Sequence, residues 1–136
     1  MLNPDRNSMR DIFFVAWEKY KNQKPLTVLE DQLIKIILAH SEYHEFLNDP
    51  QKFLEHEFFE NNPFLHMSLH MGLREQLSTD RPKGIVNIFK SLCVKYKDEH
   101  IVEHKMMECL GKILWEAQHS KKMPEESVYL ELLKSL

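Results

Sequence analysis

The chain has 136 residues, 43% of them hydrophobic and 29% charged, a length and balance that fit one globular domain and exclude a disordered one. Its formal charge of −3 and pI near 6.2 leave no basic face for duplex recognition, so nucleic acid is excluded as a first reading. The opening Met1-Leu2-Asn3-Pro4-Asp5-Arg6 does not read as a signal peptide, and apolar runs such as Ile12–Trp17 fall far short of a membrane span.

Cys93 and Cys109 are too far apart for a Cys-x-x-Cys motif and make no disulfide framework, so a cytoplasmic protein with reduced thiols is expected. Three glycines, and apolar residues recurring at three and four, predict helices rather than sheet. In chain order, Met9, Ile12, Phe13, Ala16, Trp17 and Tyr20 form one helical face ending near Asn22. Thr27-x-x-Glu30 is a capping box, in which each side chain satisfies a free backbone N–H of the other residue. It opens a second helix with Leu29, Leu33, Ile36, Ile37 and Leu47 inward, stopped at Asp49-Pro50 and open to a break at Ser41.

Gln51–Glu60 reads as a short helix, and Asn62-Pro63 starts the next with an N-cap and a first-turn proline. The run Phe64–Leu73 is apolar nearly all round, as in a central helix. Ser78–Gly84 is a loop, followed by a helix marked by Ile85, Ile88, Phe89, Leu92 and Tyr96. Lys97-Asp98 turns into a long helix, Glu99–His119, and Ser120–Pro124 separates that from a last helix carrying Val128, Leu130, Leu132 and Leu133. The expected fold is all-α, a single-domain helical bundle of five to seven helices spanning residues 1–136.

Eight histidines contain three i,i+4 pairs, His40–His44, His66–His70 and His100–His104, where chance placement gives roughly 0.4. Residues four apart on a helix differ by about 40° in azimuth and about 6 Å along the axis, so two imidazoles can converge on one ion. His66 and His70 share a stripe with Leu73 and Leu77, and His40 and His44 with Leu33, Ile37 and Leu47. His100 and His104 lie beside the arc of Met107, Leu110 and Leu114. A buried imidazole without a partner has a free-energy cost, so pairs facing the core suggest a metal site.

Glu108, one turn beyond His104, is the candidate carboxylate, with Gly111 leaving room beside it. Glu116-x-x-His119 has the di-iron spacing but sits at a helix end off the His104 face, Glu75 lies opposite His66, and Cys109 points about 140° from His104. His56 and His119 read as surface or boundary residues. Met67, Met71, Met106 and Met107 read as core filling, and Arg74, Asp80 and Arg81 as local capping and ion pairing rather than an anion site. No nucleophile elbow, P-loop or dinucleotide fingerprint is present, and the spacing of the cysteines supports no Cys/His nucleophile.

The stretches Asn62–Ile85 (NPFLHMSLHMGLREQLSTDRPKGI) and Asp98–Gln118 (DEHIVEHKMMECLGKILWEAQ) resemble an uncharacterised family of small proteobacterial proteins, a domain of unknown function. Leu2–Tyr20 and the H-x-E-Y-H element at His40–His44 are similar to the same family, so the resemblance covers nearly the full chain. It implies a bacterial, intracellular helical domain and carries over no catalytic residue. The paired-histidine helices also resemble hemerythrin-like bundles in architecture only, since the ligand order and spacing differ.

Two functions follow. The first is a metal-binding helical domain with His40, His44, His66, His70, His100, His104 and Glu108 as candidate ligands. Its ion is Zn, Fe, Mn or Ni, as one zinc or a carboxylate-bridged iron or manganese pair. The second is a non-catalytic module for a protein partner, its histidines forming a buried hydrogen-bond network. The sequence assigns no reaction, substrate or oligomeric state.

Overall fold

The computed structural model describes residues 4–53 and 62–136, with side-chain burial from Met9 onward. Among the described residues it is all-helical, with eight α-helices, one 3-10 turn and no strand. Two helices have only four residues, which accounts for the excess over the expected five to seven. His56 and most of the helix expected over Gln51–Glu60 lie outside the described residues. Contacts divide the chain into two compact units, Met1–Ser68 and Leu69–Leu136.

In the first unit, α1 spans Pro4–Lys21 and α2 Val28–Leu38. The 3-10 turn Ser41–Tyr43 leads into the single-turn helices α3, His44–Leu47, and α4, Pro50–Phe53. The inward stripe of α1 is Arg10, Phe13, Phe14, Ala16 and Trp17, so Phe13, Ala16 and Trp17 of the expected face are buried while Met9, Ile12 and Tyr20 are exposed. The stripe keeps helical spacing but has a cation in it. The Arg10 guanidinium lies 4.8 Å from the centre of the Phe64 ring, which also meets Phe13, Phe14 and Phe46.

The capping box forms as the sequence requires. The Glu30 N–H donates to Thr27 Oγ1 at 3.1 Å, and the Thr27 N–H donates to Glu30 Oε1 at 2.9 Å. The Thr27 N–H bond, followed by the hydrogen bond from Lys19, holds the Glu30 carboxyl below its ordinary pKa. The second helix stops at Leu38, because His40 takes a non-helical backbone conformation. Leu47 therefore reaches the core from α3. Asn48 Oδ1 accepts from both Trp17 Nε1 and Lys21 Nζ, tying α3 to α1.

α5, Pro63–Thr79, begins as read: Asn62 Oδ1 accepts the N–H groups of Phe64 and Leu65. The boundary between the units falls inside this helix. In the second unit follow α6, Ile85–Tyr96, α7, Glu99–Ser120, and α8, Glu126–Lys134. Asp80 Oδ1 accepts from the N–H groups of Gly84 and Val86 at the start of α6, and Asp98 caps α7 through His100 and Ile101. Gly84 sits at φ 100°, a conformation that side chains disfavour. The core here is aliphatic and sulfur-rich, built on Leu73, Ile85, Val102, Met106, Met107, Leu110 and Leu133. Leu114, expected inward on α7, is exposed, and Ile113 takes its place.

Candidate metal centre

In the first unit, the end of α2 leaves His40 buried at 3% exposure. Its Nδ1–H donates to the Ile36 carbonyl at 2.8 Å, so Nε2 carries the lone pair when the ring is neutral. That nitrogen lies 3.1 Å from Nε2 of His66 on α5. Tyr43 stacks parallel to His40 at 5.4 Å and meets His66 edge-on, packing both rings.

The second unit repeats the arrangement with a different anchor. His70, one turn beyond His66 on α5, is fully buried. Its Nδ1–H donates to Glu103 Oε1 at 2.6 Å, and its Nε2 lies 3.1 Å from Nε2 of His104 on α7. The same Glu103 oxygen accepts from Arg74 Nε at 2.9 Å. Burial alone would raise the Glu103 carboxyl, but the hydrogen bonds from His70 and Arg74 hold it down at about 2. A carboxylate ionised to that degree only accepts, which fixes the proton of neutral His70 on Nδ1.

Among the described residues, His40, His66, His70 and His104 form a group able to hold a metal ion, each offering one ring nitrogen. The 3.1 Å separations suit such a role. Two nitrogens about 2.0–2.1 Å from a tetrahedral zinc are roughly 3.3 Å apart.

The other expected ligands stand apart from this group. His44 lies beyond the break in α2, and its Nε2–H donates to the Ile37 carbonyl at 2.8 Å with Trp17 packed on the ring. His100 is exposed, its ring 4.2 Å from that of His104 and 6.1 Å from that of His70. Glu108 is exposed, and Gly111 faces Leu69, whose Cδ1 a β-carbon would meet at 3.7 Å. His119 stacks on Trp115 at the exposed end of α7.

Among the described residues, the carboxylate beside the histidines is Glu103, which sequence reasoning missed. It sits with Met106, Met107 and Leu110 at helical spacing, so a charge inside an apolar stripe was its signal. Arg74 is its partner rather than part of an anion site near Pro82. Met67, Met106 and Met107 are buried as core filling. Cys93 and Cys109 are free thiols, both raised by burial.

Residues 5–135 match the family model described as Domain of unknown function (DUF1841). The chain belongs to that family. No curated protein and no solved structure matches it. The DUF1841 model spans both histidine pairs together with Glu103 and Arg74. Among the described residues, no helix is long and apolar enough to cross a membrane.

Proposed function

We propose that this protein binds divalent metal through Nε2 of its paired histidines, His40 with His66 and His70 with His104. The observation that carries the reading is the anchoring of His40 and His70. Each donates its Nδ1–H to a fixed acceptor and places its Nε2 3.1 Å from Nε2 of a second histidine. Metal-ligating histidines are held in this way, the outer nitrogen donating to a carbonyl or carboxylate while the inner one binds.

Four neutral imidazoles suit zinc, with iron(II) or nickel as the nearest alternatives. A dinuclear iron or manganese centre needs a bridging carboxylate. Among the described residues, Glu103 is already engaged by His70 and Arg74, and Glu108 is exposed.

The second reading is an interaction module with a buried histidine network. The same 3.1 Å contacts favour it, since each fits one N–H···N hydrogen bond. Elemental analysis of untagged protein purified without chelator, beside a His66→Ala/His70→Ala variant, separates the two. Near-stoichiometric metal in the native protein, lost in the variant, is the expected result. A metal-free native protein that stays folded and takes up no Zn, Fe, Mn or Ni on reconstitution would overturn the proposal and leave the network.

A further inference from the structure

His40 and His70 are anchored by different kinds of acceptor, and the difference has chemical content. Ile36 offers a neutral carbonyl, whereas Glu103 offers a carboxylate oxygen 2.6 Å from His70 Nδ1. A hydrogen bond to an anion pushes electron density into the imidazole and makes the opposite nitrogen a stronger donor. Arg74 Nε donates to the very oxygen that His70 uses, at 2.9 Å, and so draws density away from that bond. Arg74 keeps 37% of its side chain exposed, while the Glu103 side chain keeps 12% and that of His70 none. The three groups form a graded line from a buried ligand to a cation at the surface.

We infer that Glu103 and Arg74 act in opposite directions on the metal affinity of His70, Glu103 raising it and Arg74 limiting it. This inference rests on the metal reading above. Both are positioning residues, since neither lies in the histidine group itself. One oxygen accepting two donors makes the effects antagonistic, because whatever Arg74 withdraws from Oε1 is lost to the His70 bond.

The test is zinc titration against a competing chelating dye at fixed pH, on the full chain and on Glu103→Gln and Arg74→Gln. Glutamine at 103 keeps the shape and an acceptor oxygen but removes the charge, so zinc binding is expected to weaken about 10- to 100-fold. Arg74→Gln is expected to tighten it several-fold. The thermal midpoint of each metal-free variant is read alongside. A merely structural role predicts that both substitutions weaken zinc binding together with stability. Loss of affinity in both variants, or unchanged affinity in both, overturns the inference while the native protein still binds zinc. Failure of the native chain to bind zinc would overturn the metal reading and this inference with it.

Discussion

The His40–His66 and His70–His104 pairs have the same 3.1 Å spacing between Nε2 atoms but reach it by different means. His40 is oriented by the backbone: α2 ends, the chain leaves helical geometry, and the ring folds back onto a carbonyl one turn earlier. His70 sits within an intact helix and is oriented by a side chain from another, Glu103 of α7. Near a helix end a carbonyl has acceptor capacity to spare: the Ile36 oxygen accepts the Ala39 N–H at 3.1 Å and the His40 ring as well. Inside a helix the carbonyls are spent, so the sequence has to bury a carboxylate and then compensate it with Arg74. The first device is local and neutral, the second long-range and charged.

Truncating the two anchored rings should expose that contrast most strongly. In chelator-treated protein, His70→Ala leaves the Glu103 carboxylate buried with one donor fewer, and should cost about 2–3 kcal/mol in urea denaturation. His40→Ala leaves the neutral Ile36 carbonyl, which still accepts the Ala39 N–H, and should cost about 1 kcal/mol. Equal costs would mean that the charged anchor makes no special demand.

Acid titration tests the charged anchor alone. The Glu103 carboxyl is depressed from its ordinary 4.5 to about 2, so protonation is resisted more in the folded than in the unfolded chain. Its contribution is therefore complete above the ordinary carboxyl range and is lost as pH falls from about 4.5 towards 2. Glu103→Gln should flatten this part of the metal-free stability curve. An unchanged acid limb would show that other carboxylates govern it.

The smallest effect belongs to a control remote from both pairs. Thr27→Ala removes one side of the capping box and should lower stability by about 1 kcal/mol without altering metal stoichiometry. A change in stoichiometry would show that the start of α2 governs the placement of His40.

Most helix boundaries were legible because they rest on local chemistry: Thr27 with Glu30, Asn62 before Pro63, and Asp98 before α7 all cap as their side chains dictate. The three histidine pairs were legible as spacing, but only one, His66–His70, lies wholly within a continuous helix and within the four-histidine group. The break after Leu38 separates His40 from His44 and turns the latter to a carbonyl, which periodicity alone does not show. The inward faces of α1 and α7 were read in part, with Phe13, Ala16, Trp17, Met107 and Leu110 buried as expected, and the residues missed share a reason. Arg10 and Glu103 occupy core positions, and a charge there reads as a surface residue until its partner from elsewhere in the fold is known. A charge inside an apolar stripe marks such a position, but its tertiary partner, unlike a cap, lies outside the local sequence.

The placement of His66 and His70 on successive turns of α5 also bears on how this chain tolerates change in length. Each residue added to a helix advances its azimuth by about 100°, so one insertion between Met67 and Leu69 would swing His70 off the line of His66 and carry Leu73 and Arg74 with it. The loops after Asn22 and Ser120 carry no such phase relation. The stretch from His66 to Arg74 therefore works as a fixed gauge, in which the count of residues matters as much as their identity.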